Sequence, residues 1–139
     1  MAFWLFKSEP NTWSWDDQVA KGDIGEGWDG VRNYQASNNM KAMKIVDLGF
    51  FYHSVKEKRI VGIVKVIEEY HPDPTDLSGR FGMVTLAAVC PVNKAVTLAE
   101  IKAEPALSEL ALVRQSRLSV VPVNPEEWDC LCAMAETRL

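Results

Sequence analysis

The stretch from Leu48 to Tyr70 constrains the fold more than any other part of the chain. Leu48 to His53 is a short aromatic strand, Ser54 to Lys58 is a charged turn, and Arg59 to Tyr70 is a second strand rich in Ile and Val. Aromatic and β-branched residues of this kind suit a pleated, half-buried surface. Two strands joined by so short a turn pair antiparallel, so the chain is built around a hairpin. A doubly wound nucleotide-binding sheet is not expected, because no G-x-G-x-x-G or Walker sequence follows a strand. His71-Pro72-Asp73-Pro74 stops the second strand, since two prolines cannot continue a central strand.

Around the hairpin the chain reads as further strands and short helices. Residues 2–7 form a buried strand that ends in Lys7-Ser8-Glu9-Pro10. Ser14-Trp15-Asp16-Asp17 has capping-box spacing and starts a helix that Gly22 closes. Gly22, Gly25, Gly27 and Gly30 make a loop around Trp28. Asn33 caps a helix from Tyr34 to about Lys44, with Ala36, Met40 and Met43 as its apolar face. A strand from Met83 to about Val92 follows the loop that ends at Gly82. Thr97-Leu98-Ala99-Glu100 opens a helix that ends near Pro105, and Ala106 to Leu112 adds another turn or two. Ser116 to Val123 is the last strand. Asn124-Pro125-Glu126-Glu127 then starts a helix with Trp128, Leu131, Cys132 and Ala135 inward. Strands separated by helices but joined by a hairpin predict an α+β fold curled into an open barrel with helices at its ends.

Size and charge set the outer limits. At 139 residues and 47% hydrophobic content, one globular domain spanning 1–139 is expected, not a disordered chain. No run of 18 apolar residues is present and the N-terminus lacks a basic leader, so neither a membrane partner nor secretion is expected. The expected location is cytoplasmic and the expected state monomeric. Three cysteines and two histidines support neither a disulfide framework nor a metal site, and no cofactor is expected. The net charge of −4 argues against indiscriminate backbone binding. Yet Trp28 to Lys65 holds seven basic and three acidic residues, +4, while the remainder sums to −8. A local positive face, or merely a solvated surface, follows from that asymmetry.

Catalytic constellations are weak. Ser54 beside His53 lacks the glycines of a nucleophile elbow, and His53 at a strand end reads most simply as a hydrogen-bonded histidine. Asp16-Asp17 and Glu126-Glu127 open helices, where the dipole accounts for them. Gly27-Trp28-Asp29-Gly30-Val31-Arg32-Asn33-Tyr34-Gln35-Ala36 carries more information. A large aromatic among glycines has no periodic core to join, although core filling remains an equal reading for Trp28. A helix start follows it, and Arg32 and Asn33 add directional donors for a carbonyl, an anion or the edge of a base.

These residues carry a resemblance. The Trp28–Ala36 segment, Lys7-Ser8-Glu9-Pro10, Phe50-Phe51-Tyr52-His53-Ser54 and Ser116-Arg117-Leu118-Ser119-Val120 resemble the motifs of the EVE domain family. His71-Pro72-Asp73-Pro74-Thr75-Asp76 and Val96 to Lys102 fit it too, in the same order along nearly the whole chain. The resemblance implies a PUA-like pseudo-β-barrel of about five or six strands with short flanking helices, related to YTH and ASCH domains. It also implies non-enzymatic recognition of a modified nucleobase, such as a modified cytosine or another methylated base, in DNA or RNA, the base held in an aromatic-lined pocket. On this chain Trp28 would then be a stacking wall beside Gly30, Val31 and Arg32. Lys7, Ser8 and Asn33 would supply polar contacts, and Phe51, Tyr52 and His53 would line the opposite side. Arg117, Leu118 and Ser119 would stand at the rim, with Arg117 in reach of a phosphate. One departure is Ser37, where many relatives have arginine, which implies a weaker backbone contact. Trp13 and Trp15 read as packing residues at a helix start.

Two other functions use the same residues. A hydrolase acting on a modified nucleoside would employ Lys7 or Glu9 as its base. A sensor of a free modified nucleoside or small nucleotide-like ligand would make no contact with a polymer.

Overall fold

The structure is a computed structural model that describes residues 1–139. Its centre is the hairpin of β3 (Leu48–His53) and β4 (Arg59–Pro72), paired antiparallel from Leu48↔Lys65 to His53↔Arg59. β5 (Gly82–Thr97) pairs antiparallel with β4 on its other side, and the two-residue β2 (Glu26–Gly27) closes that edge. Beside β3 lies β1 (Phe3–Ser8), parallel to it, and beyond that β6 (Val120–Val123). The result is one mixed six-stranded sheet in the order β2-β5-β4-β3-β1-β6. It is not closed, so the barrel is an open one.

The parallel pairing of β1 with β3 needs a crossover. That crossover carries α1 (Trp15–Ala20) and α2 (Tyr34–Lys41). α3 (Leu98–Ala103), α4 (Ala111–Arg114) and α5 (Pro125–Met134) follow the long strands. Ser14, Thr97 and Asn124 close full capping boxes with Asp17, Glu100 and Glu127, and Asn33 accepts the Ala36 amide at 2.9 Å. Each such cap is worth about 1 kcal/mol to its helix.

Aromatic layers cover both faces of the sheet. Phe3 and Phe50 stack on Trp128 of α5, with ring centroids 4.5 and 4.1 Å away. On the other face Phe6 and Phe51, register neighbours on β1 and β3, meet Trp28 edge-on at 5.4 and 5.7 Å. Trp15 of α1 meets Phe51 at 5.4 Å. Glycine makes room for these rings: a Cβ at Gly62 would lie 2.5 Å from Trp15, and one at Gly49 2.5 Å from Phe6. α2 ends at Lys41, short of the expected Lys44, so Met43 lies just past it; Ala36, Met40 and Met43 are nonetheless all buried, at most 1% exposed.

Several boundaries differ from the sequence reading. β4 continues through His71 to Pro72, because proline at the last position interrupts no further ladder. β5 continues past Val92 to Thr97 and contains Pro91. The register slips between Ile60 and Gly62 of β4, and a bulge there accommodates an imino acid that cannot donate. The last strand is shorter, since residues 116–119 form a turn before Val120. The helical turns after α3 fall at Pro105–Leu107 and in α4, and Cys132 is only half-buried. β2 sits inside what reads as pure loop. No helix is long and apolar enough to cross a membrane.

Candidate functional site

A cleft of ≈490 Å³ opens where β1 ends. That volume lies within the range of about 300–1,000 Å³ that small-ligand sites occupy. Four segments distant in sequence build it: Lys7 to Glu9, Thr12-Trp13, Glu26 to Arg32, and Ser119 just ahead of β6. Seven of the residues singled out in the sequence therefore meet here, namely Lys7, Ser8, Trp28, Gly30, Val31, Arg32 and Ser119.

Trp28 satisfies both readings of it. The ring is only 8% exposed and packs on Phe6 and Phe51, and its remaining surface lines the cleft. Its backbone amide donates to the Val84 carbonyl at 2.8 Å, so the ring is anchored to β5. Trp13 is a cleft wall, whereas its place at a helix start pointed to packing alone. Its indole Nε1 donates to Gln18 Oε1 at 3.0 Å, and Gln18 Nε2 donates to the Leu86 carbonyl at 2.9 Å. Gln18 is fully buried, and a buried glutamine inside a six-residue helix is the one sequence signal that this indole needed a partner. The Ser8 hydroxyl donates to the Trp13 carbonyl, tying wall to strand.

Lys7 is the unusual charge. Its Nζ donates to the Ser116 carbonyl at 2.9 Å, and its backbone amide to the Ser119 carbonyl at 2.9 Å. It forms no ion pair, and burial lowers its pKa below the usual lysine value. Glu9, Glu26 and Asp29 stand on the cleft wall with it.

Arg32 is turned away from a ligand by a carboxylate. Its guanidinium donates to Asp73 Oδ2 at 3.1 Å and to Thr75 Oγ1 at 2.9 Å, and it lies over the Phe81 ring. Asp73 also accepts the Gly30 amide at 2.9 Å and the Thr75 amide at 2.7 Å. Burial alone would raise the Asp73 carboxyl, but the bonds from Thr75, Gly30 and Arg32 outweigh it and bring the pKa down to about 2. The loop after β4 thereby holds the Asp29 to Arg32 wall in place.

The remaining singled-out residues lie elsewhere. Phe51 is beneath Trp28 in the core. Tyr52 is 3% exposed and does not line the cleft. Burial raises its pKa to about 12. His53 Nε2 accepts the Trp15 amide at 3.0 Å, which leaves Nδ1 to donate to Glu57 at 2.9 Å, so it serves the start of α1. Asn33, Arg117 and Leu118 line a second, adjoining cleft of ≈320 Å³ with Gln35, Arg114 and Gln115. Ser37 points inward, its hydroxyl 2.8 Å from the Tyr70 hydroxyl. The basic surplus of residues 28–65 does not gather at either cleft, since of its seven cations only Arg32 lines one. No three His, Cys, Asp or Glu side chains converge as a metal-ligand set.

Comparison with known proteins agrees with this architecture. A family model described as the EVE domain matches residues 2–134. Mouse thymocyte nuclear protein 1 is 34% identical over 98% of this chain and 74% of its own length. The crystal structure of protein Atu2648 from Agrobacterium tumefaciens superposes with a TM-score of 0.95 at 50% identity, covering 99% of this chain and 94% of that one. The structure of human THYN1 protein in complex with DNA containing 5-methylcytosine superposes with a TM-score of 0.92 at 32% identity, covering 100% of both chains.

Proposed function

The chain belongs to the EVE domain family, and from that premise we propose that it binds, without chemistry, a modified nucleobase of a nucleic acid strand in the cleft over Trp28. The observation that carries the proposal is the pairing of two immobilised tryptophans, Trp28 and Trp13, with the polar Ser8, Lys7 and Ser119 in one opening. A base has two apolar faces and a polar edge, and such an opening offers partners for both. Human THYN1, a relative at 32% identity, is seen with DNA containing 5-methylcytosine. A methylated cytosine in DNA is therefore the first ligand to test, and RNA the second. The proposal takes residues 1–139 as one domain, acting as a cytoplasmic monomer; one continuous hydrophobic core supports the first part.

The energetics are coherent. Extracting a base costs a few kcal/mol. Stacking on one aromatic returns about 1–3 kcal/mol. Burying one extra methyl adds only about 0.8 kcal/mol, a several-fold preference. Stronger selectivity requires a polar group left unpaired by the wrong base, a role for which Ser119 and the acceptor side of the Ser8 hydroxyl, both on the cleft lining, are the candidates.

The hydrolase reading has one observation in its favour. Burial lowers the Lys7 pKa, which brings a lysine toward general-base duty, and Glu9 shares the cleft. Titration of intrinsic tryptophan fluorescence with cytosine- and 5-methylcytosine-containing DNA and RNA strands tests the binding reading. Quenching by a modified strand, lost in Trp28→Ala, is expected. Turnover of a modified nucleoside abolished by Lys7→Ala, or binding unchanged in Trp28→Ala, overturns it.

A further inference from the structure

The loop between β4 and β5 meets the first turn of α2 in a pair of rings that the cleft does not use. Tyr34 is the first residue of α2 and is 61% exposed. Its ring lies 4.9 Å from that of Phe81, tilted by 38°. Phe81 is half-buried just ahead of β5, and the Arg32 guanidinium stands 5.8 Å from the centre of its ring. The fold does not need a tyrosine here. Asn33 already caps the helix, and Ala36, Ser37 and Met40 make its buried face. An aromatic residue is also only a middling helix former.

A lone exposed tyrosine would be ordinary surface. Here the backbone around the rings is fixed. The Phe81 amide donates to Asp76 Oδ2 at 2.8 Å, and the next amide, of Gly82, donates to the Tyr70 hydroxyl at 2.6 Å. That hydroxyl is 2.8 Å from the Ser37 hydroxyl of α2, so loop and helix are tied to each other. Arg32 is held by Asp73 and Thr75. An aromatic surface ordered before its ligand arrives loses little freedom on binding.

The rings also continue the cleft over Trp28. Arg32 lines that cleft and lies over Phe81, and Asp73 of the same loop holds Gly30 of the cleft wall. The surface around the rings is receptive to a polyanion. Asp73 and Asp76 are engaged with backbone amides, whereas Arg80, next to Phe81, is exposed and enters no ion pair. Two rings and a guanidinium match the face of one base and fall far short of the roughly 800 Å² per partner that a stable protein interface buries.

We propose that Tyr34 and Phe81, with Arg32, form a stacking platform for the base that adjoins the one held over Trp28. This deepens the reading above and rests on it for the base in the cleft. It assigns the ligand as a strand of at least two nucleotides, the second read by its flat face. Every base has such a face, so the platform tolerates any neighbour.

The experiment is calorimetric titration of the full-length protein with three probes. One is a DNA trinucleotide with 5-methylcytosine between two thymines. The second is the same strand with both thymines replaced by abasic sites, which keeps the phosphates. The third is free 5-methyl-2′-deoxycytidine. The wild-type protein should bind the first about tenfold more tightly than the second, the share of one stacked base. Tyr34→Ala should bind both at the weaker level and leave nucleoside affinity unchanged, which also shows that the variant is folded. Tyr34→Phe should keep the full preference. Equal affinities for the two strands in the wild type, or a preference that survives Tyr34→Ala, overturn the platform. So does an equal loss on all three probes, which would mark Tyr34 as a latch for the cleft wall. Nucleoside binding lost in Trp28→Ala, with no flank preference, removes the platform and keeps the cleft reading. Amide shifts at residues 34 and 81 of ¹⁵N-labelled protein with a thymidine tetranucleotide, absent with its abasic analogue, keep the platform even if no methylated base binds.

Discussion

Asp73 accepts the backbone amide of Gly30 at 2.9 Å although 43 residues separate them, and its side chain is wholly withdrawn from solvent. Through this bond and the one from Arg32, the loop after β4 fixes the wall of the cleft. Asp73→Asn should destabilise the fold by about 2–3 kcal/mol, as expected when a buried charged hydrogen-bond network is broken. The pH dependence has a definite sign. The folded pKa of about 2 lies below the ordinary aspartate value of 3.8, so the contribution, about 2 kcal/mol, is full above the unfolded value and is lost as pH falls through 4 toward 2. Urea unfolding of both proteins at pH 7 and pH 3 checks this, and the gap between them should narrow in acid.

Trp13 should matter to ligand affinity more than to folding. Trp13→Ala is expected to weaken binding of a modified strand by about 1–3 kcal/mol, the range for loss of one base–aromatic stack. Gln18→Leu removes the acceptor of its indole and leaves the Leu86 carbonyl without that donor. It should lower stability by about 1–3 kcal/mol and blur ligand selectivity, which calorimetric titration against methylated and unmethylated strands would detect.

Lys7→Met should stabilise the protein and disable it. The lysine is half-buried without an anionic partner, and its folded pKa is lowered. A lowered lysine pKa means the charged form is penalised at neutral pH, a penalty relieved as pH rises toward 10.5. The methionine variant should therefore unfold at equal or slightly higher urea concentration at pH 7, by up to about 1 kcal/mol. It should lose strand affinity at the same time.

Gly62→Ala should cost about 1–3 kcal/mol, because the new methyl would meet the Trp15 ring at 2.5 Å and the core has no slack to receive it. The partner change Trp15→Leu should recover part of that loss, and a double-mutant cycle on thermal unfolding would measure the coupling.

Val55 makes a contrasting prediction. This β-branched residue is 57% exposed at the tip of the central hairpin with φ +71°. A left-handed backbone costs a β-branched residue about 1–2 kcal/mol. Val55→Gly should raise stability by about 1 kcal/mol in chemical denaturation, since no packing is lost.

The sequence discloses local physics well and distant contacts poorly. Caps at Ser14, Asn33, Thr97 and Asn124 and the hairpin around residues 54–58 are written in neighbouring residues, and the structure has them in place. β2 is hidden because its two residues join the sheet only through Thr85 and Leu86, far along the chain. Pro91 conceals the length of β5 because a bulge has no local signature. At the cleft, Trp28 with Gly30 to Arg32, and Lys7 with Ser8, are visible as segments, yet nothing local shows that they face one another. Trp13 is hidden by its helix-start position, which explains an aromatic residue without any ligand. Asp73 offers one signal, an acid fixed between two prolines, but its partner Gly30 cannot be read from spacing.

Because Lys7, Trp13, Trp28 and Ser119 come together only in the finished fold, the unfolded chain has no counterpart of the cleft. A compound that fits it must then shift the melting transition by mass action. At a hundredfold excess over its dissociation constant it would add about 2.7 kcal/mol. Thermal-shift screening of a library of modified bases, nucleosides and dinucleotides would therefore rank ligands with no label and no assay for turnover, whichever mark the cleft reads.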